Sequence, residues 1–167
     1  METCDLILDK ARFEDWEELY RNVWSRPEAA RYMQWRVTSS EEEARARMER
    51  TIAWQRDHDV WTVYEKSVGQ AIGWAGLAEL SPGVWQETSI ALGPDFVGRG
   101  YGRQILELLM KLARERGGTE FRCSARAENT ASQALIRSGG FALTGTERKV
   151  DPRDDTPYIL ENYRRPL

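Results

Sequence analysis

Histidine is almost missing from this 167-residue chain: His58 is the only one, and it lies between Asp57 and Asp59 at the polar end of a helix-like run, a poor place for proton transfer. Cysteine is scarce too. Cys4 and Cys123 are far apart and match no metal-ligand spacing, so they read as reduced thiols serving as small apolar residues, and no metal is expected. No apolar run reaches the roughly 20 residues that span a bilayer, and Met1 to Lys10 lacks the basic-then-apolar order of a signal peptide. There is no excess of positive charge. The formal charge of -3 and pI near 5.4 leave no basic field for nucleic acid or an anionic membrane. Repeats, low-complexity tracts and linkers are also lacking. Residues 1–167 therefore read as one cytoplasmic domain, with nucleic acid and membrane disfavoured as partners.

What is present is an ordered series of strand and helix patterns. Leu6 to Leu8 is a short apolar start. Phe13, Trp16, Leu19, Tyr20, Val23 and Trp24 recur at helical spacing and predict a helix over Ala11 to Trp24, and Pro27 suits the first position of a short turn over Arg26 to Met33. Thr38, Ser39 and Ser40 each precede a glutamate by three residues, a repeated capping pattern that opens a helix running to about Asp57. Glu41 with Arg45 and Glu43 with Arg47 are i,i+4 pairs on its wet face. Val60 to Glu65, Ala71 to Leu80 and Trp85 to Leu92 are strand-like, separated by turn sequences, and predict an antiparallel meander. Ile105, Leu108, Leu109 and Leu112 stripe a helix over Arg103 to Arg116, ended by Gly117 and Gly118. A strand over Phe121 to Ala125, a helix over Asn129 to Ser138 and strands over Phe141 to Val150 and Thr156 to Tyr163 complete a mixed α/β (α+β) chain with one parallel crossover.

The segment Val97, Gly98, Arg99, Gly100, Tyr101, Gly102 joins the last meander strand to the Arg103 helix. Glycines feeding a helix N-terminus aim unpaired N–H groups at one point, where the dipole also favours negative charge. The segment is either an anion cradle, most naturally for a pyrophosphate, or an ordinary strand-to-helix turn. It is not a P-loop, because the G-x-x-x-x-G-K-[ST] spacing and its lysine are missing, nor a dinucleotide fingerprint, because a meander stands where the first βαβ unit belongs.

Ile90 through Arg103 resembles the Q/R-x-x-G-x-G/A region of the GCN5-related N-acetyltransferase family. Asn129-Thr130-Ala131-Ser132, then Leu135 and Gly139-Gly140-Phe141, resembles the same family's downstream motif. Glu87, Thr38 with its acidic helix and the Asn-x-x-Ser start look most like the branch that acetylates N-termini of ribosomal proteins. The resemblance implies a twisted, mostly antiparallel sheet of about seven strands, flanked by helices and splayed at the cofactor site. It also implies acetyl-CoA as donor and a primary amine as acceptor, in a ternary complex, with homodimers common among relatives. The pyrophosphate would lie on the N–H groups of Gly98 to Arg103, with side-chain contacts from Arg99 and Arg103, and the pantetheine arm along Ile90, Ala91 and Leu92. Asn129 is either a cofactor-facing side chain or only a helix cap, and Ser132 lies beside it.

This chain departs from the family where an acid or base is often found. Val97 replaces a common glutamine, Ile136 stands at the usual tyrosine, and Ser124 at one branch's carboxylate. A thiolate is a tolerable leaving group, its thiol pKa roughly 8.5, and whether an acid assists it is left open by the sequence. An ammonium acceptor must still lose a proton. Glu87 is the candidate base, with a rim or acceptor-binding carboxylate as the rival role. Tyr32, Met33, Trp35, Trp74 and Trp85 fall near segments that line the acceptor side in the family. The missing tyrosine and carboxylate also leave open a catalytically weak CoA-binding sensor or interaction module.

Overall fold

A computed structural model describes all residues from Met1 to Leu167. Its sheet has seven strands in the order β1-β2-β3-β4-β5-β7-β6. Strands β2 (Val60–Glu65), β3 (Gln70–Ser81) and β4 (Val84–Leu92) form the expected antiparallel meander, and β1 (Leu6–Asp9) pairs antiparallel with the outer edge of β2. Helix α4 (Tyr101–Glu115) then carries the chain across the sheet, so that β5 (Glu120–Arg126) lies parallel to β4. Strand β7 (Pro157–Pro166) pairs antiparallel with β5, and β6 (Ala142–Val150) forms the far edge. The short helices α1 (Trp16–Leu19) and α2 (Pro27–Ala30), the long α3 (Glu41–Asp57) and α5 (Thr130–Ser138) complete the layers.

Alternation along β2 shows how the sequence builds two cores. Trp61 and Val63 join Ile105 and Leu109 of α4 on one face. Tyr64 joins Leu19, Val23, Trp24 and Met48 on the other, where Thr62 also accepts a hydrogen bond from buried Gln55 of α3 at 3.3 Å. Both faces are covered, which is why β2 is apolar almost throughout rather than alternating with charge.

The expected continuous helix over Ala11 to Trp24 is instead three pieces. A 3₁₀ turn (Phe13–Asp15) leads into α1 and then a π turn (Tyr20–Trp24). Side chains reaching the sheet accompany these changes of pitch. Glu18 accepts the Ala71 N–H at 2.6 Å, and the Asn22 amide donates to the Ala71 carbonyl at 2.9 Å. Periodicity reports the buried face but not these tethers.

Helix α3 starts as expected, with Ser40 Oγ accepting from the Glu43 N–H at 3.2 Å. Glu41 and Arg45 pair at 3.0 Å, but Glu43 turns back to Ser39, accepting from its N–H and hydroxyl. The expected Glu43–Arg47 pair is therefore absent, and Arg47 lies half-buried among aromatic rings.

Close approach of β3 and β4 depends on Gly73, where an added Cβ would land on the Ala91 carbonyl. That carbonyl is backbone and cannot rotate away. Gly73→Ala is expected to cost about 2 kcal/mol and lower the melting temperature by roughly 4–8 °C, whereas Gly145→Ala, with open space around it, stays near the parent. Thermal unfolding of the two variants side by side checks this.

Candidate functional site

Strands β4 and β5 touch over only three residue pairs: Val84 with Glu120, Trp85 with Phe121 and Gln86 with Arg122. Beyond them each strand keeps its outer partner, β4 with β3 as far as Leu92 and β5 with β7 as far as Arg126. The inner edges of Glu87–Leu92 and Cys123–Arg126 are thus unpaired and face each other across a slot. A β-bulge marks its origin, since the β3–β4 register jumps from Gly76–Ser89 to Leu77–Glu87 and leaves Thr88 as the extra residue. Bulges bend a strand and re-aim its side chains. Gly76 makes room for this one, because a Cβ there would strike the Thr88 hydroxyl.

The slot opens into a cavity of about 770 Å³. Ile90, Ala91 and Leu92 line one wall, and Val97, Gly98, Gly100, Tyr101, Gly102 and Arg103 form one end. Gly98 and Gly100 have φ of 75° and 80° with nothing within 4 Å of an added Cβ, the backbone shape that only glycine adopts freely. None of the seven backbone N–H groups from Val97 to Arg103 finds an acceptor within the protein; the first bond is from the Gln104 N–H to the Gly100 carbonyl at 3.2 Å. Seven free donors at the start of a 15-residue helix suit a pyrophosphate.

Arg99 departs from expectation. Its guanidinium leaves the cavity and pairs with Glu65 at 3.1 Å, while the Tyr101 hydroxyl donates to the same carboxylate. These contacts pin the loop to β2 from behind, and Arg99 is not among the residues that line the cavity. Arg103 lines the cavity and pairs with Glu107 at 2.9 Å. Asn129 is a helix cap at the cavity wall. At the start of α5 it accepts from the Ser132 N–H at 3.1 Å, and both residues line the cavity.

Glu87 sits where the strands part. Some of its surface is reached from the cavity, but protein surrounds the carboxyl and no cation lies within ion-pair distance. Burial alone pushes it up to about 7. Across the slot, Cys123 is buried, and its thiol is pushed above the ordinary range, first by burial and then by the nearby Glu87 charge. A carboxyl poised near neutrality can take and release a proton at physiological pH.

Of the expected acceptor-side residues, Tyr32, Met33, Trp35 and Trp74 line the cavity. Trp85 does not. It is buried in the larger core where β4 and β5 are still paired, beneath the Arg116 guanidinium. Ile136 is buried and lines the slot, as does Ser124.

Sequence reasoning missed Cys123, Tyr158 and Leu160 on the opposite wall, although the Tyr158–Leu160 alternation would have put both on one face of β7. It also missed a clamp over the cavity. Buried Asp151, in the β6–β7 turn, accepts from Arg126 at 2.8 Å and from Arg153 at 2.6 and 2.9 Å. Arg153 in turn donates to the carbonyls of Ala30, Arg31 and Trp35. The segment carrying Tyr32, Met33 and Trp35 is thereby tied down across the slot.

Fold and slot together define a mixed α/β protein with a cavity along an opened strand pair and free N–H donors at one end. Residues 5–142 match the family described as the acetyltransferase (GNAT) domain, and the chain belongs to that family. Among curated relatives, N-alpha-acetyltransferase RimI of Mycobacterium tuberculosis is 36% identical over 87 residues, 50% of this chain and 53% of that protein. The chain spans about half the length of the curated relatives it matches. An acetyltransferase of the same family from Bacillus anthracis superposes with a TM-score of 0.84 at 17% identity, covering 99% of this chain and 97% of the other. RimL, a ribosomal L7/L12 alpha-N-protein acetyltransferase solved with coenzyme A, gives 0.78 at 22% identity over 99% and 96%. No helix is long and apolar enough to cross a membrane.

Proposed function

We propose that the chain is an acetyl-CoA-dependent N-acetyltransferase that moves the acetyl group directly to the α-amine of a peptide or protein, in the cytoplasm. The observation that carries this reading is the placement of Glu87, without an ion-pair partner and lining the cavity, at the point where the two strands separate. Acetyl-CoA supplies an activated thioester carbonyl when bound. The seven free N–H groups from Val97 to Arg103 suit its pyrophosphate, and the inner edge of β4 offers backbone partners to an extended arm. Glu87 Oε accepts the proton that the acceptor ammonium must lose, directly or through one water. The apolar walls around Leu92, Leu106 and Ile136 limit water at the slot.

Names of the matched relatives support an α-amine acceptor, since RimI and RimL are both described as acting there. The first test is thermal unfolding with acetyl-CoA, with ATP and NAD as controls. Acetyl-CoA near 100 times Kd is expected to add about 2.7 kcal/mol and raise the melting temperature by roughly 5–11 °C, with no comparable rise from the controls. Acetylation of peptide amines then separates a transferase from a CoA-binding sensor. A rise in melting temperature without turnover on any amine would favour the sensor.

A further inference from the structure

A second cavity, of about 1010 Å³, lies between α3 and strands β2 to β4. Its wall shares Trp35, Trp74, Thr88 and Ser89 with the slot, so the two spaces adjoin at the β4 bulge. A chain whose terminal amine reaches Glu87 would pass Thr88 and continue into this space.

Arg47 projects into it under unusual conditions. The rings of Trp35, Trp24 and Trp74 surround its guanidinium, with centroids at 4.5, 4.8 and 5.9 Å. Its one hydrogen bond goes from Nη1 to Thr38 Oγ1 at 3.0 Å, which leaves most of its five donors free. No carboxylate lies within ion-pair distance, because Glu43, one turn earlier, is engaged by Ser39. Burial depresses the guanidinium to about 10, and the charge of Glu43, near but not paired, offsets part of that shift. Aromatic faces attract the cation, but they do not satisfy in-plane N–H donors. Arg36 and Arg50 line the same end, whereas Asp57 and Asp59 lie with His58 toward the other, and Asp59 is already paired with Arg116.

We propose that this cavity is a specificity subsite for the acceptor and that Arg47 receives a carboxylate from it, so that peptides with an acidic residue close behind the amine are preferred. The proposal rests on the transferase reading. A carboxylate fits better than a phosphate. It matches the planar fork, and its single charge suits a wall that also holds Glu43, Asp57 and Asp59.

Two N-acetylated peptide amides test the subsite without turnover, one with Asp at the second and third positions and one with Asn there. Binding is followed by tryptophan emission, which the three rings around Arg47 make sensitive to an occupant. The wild-type protein is expected to bind the Asp peptide roughly 10-fold or more tightly than the Asn peptide, the range of a charge-assisted hydrogen bond. Arg47→Gln is expected to erase that ratio and Arg47→Lys to keep part of it, both retaining the melting-temperature rise with acetyl-CoA. Equal binding of the two peptides by the wild type, including no binding of either, overturns the proposal. So does a preference that survives Arg47→Gln, which would make Arg47 only a structural pin. If the acidic preference holds but the same peptides with free amines are never acetylated, the transferase reading fails and the subsite stands.

Discussion

Replacing Glu87 with glutamine is expected to lower kcat by ~10²-fold or more, the usual contribution of a general base. The amide keeps the side chain's size and polarity but cannot accept the proton. The pH profile gives the more discriminating readout. With Glu87 pushed up to about 7 by burial, wild-type activity should rise as the pH passes through 7 and the carboxyl ionises. In Glu87→Gln that limb should vanish, leaving only the titration of the acceptor amine. Stability should move the opposite way. A carboxyl whose folded value lies above its unfolded value of about 4.3 binds more protons in the folded state, so folding loses stability as the pH rises between them. Glu87→Gln should therefore melt higher than the parent at pH 8 and show no such gain at pH 4. A variant that is slower but more stable at pH 8 marks a charge held at a cost for function. Unchanged turnover across the pH range would return Glu87 to the role of a rim carboxylate.

The parts of the site that could be read from sequence are those in which function is local. Gly98 and Gly100 announce positive φ, and their neighbours become free donors simply by preceding a helix. The three meander strands show themselves by composition, and Asn129 by its capping position. What stayed hidden depends on partners distant in sequence. Arg99 looked like a phosphate ligand because it lies in the glycine loop, but Glu65 on β2 claims it. Trp85 is two residues from Glu87, yet the parallel pairing with β5 still holds at Trp85 and buries it in the core. Arg47 read as half of a solvated pair until Ser39 took Glu43 and three tryptophans from separate segments enclosed the guanidinium. Sequence spacing predicts neighbours along a helix, but competition for a partner is settled only by the fold.

Asp151→Asn is expected to damage both stability and acceptor use while sparing acetyl-CoA binding. Asp151 is 2% exposed and accepts from both Arg126 and Arg153, whose hydrogen bonds, those of Arg153 foremost, hold its carboxyl far below the usual range. Asparagine supplies one acceptor oxygen and no charge, leaving two largely buried guanidinium groups without a counterion, and breaking such a pair is strongly destabilising. The melting temperature should fall by roughly 5 °C or more near neutral pH. For a carboxyl with a depressed folded value, the stabilisation is complete above the unfolded value of about 3.9 and fades as the pH falls toward the folded one. The gap between parent and variant should therefore narrow on acidification below pH 4. The kinetic consequence follows from the Arg153 bonds to the carbonyls of Ala30, Arg31 and Trp35. Once Asp151 no longer orients Arg153, the segment bearing Tyr32, Met33 and Trp35 keeps only the bonds of Tyr32 to the Glu128 carbonyl and of Arg36 to the Arg153 carbonyl, and KM for the acceptor should rise several-fold. The Val97–Arg103 cradle lies on other elements and makes none of these bonds, so the acetyl-CoA thermal shift should persist. Arg153→Ala removes the tie to the acceptor segment while Arg126 still faces Asp151, and it should reproduce the KM effect with a smaller loss of stability. An equal weakening of acetyl-CoA binding would instead mean that the clamp supports the whole slot.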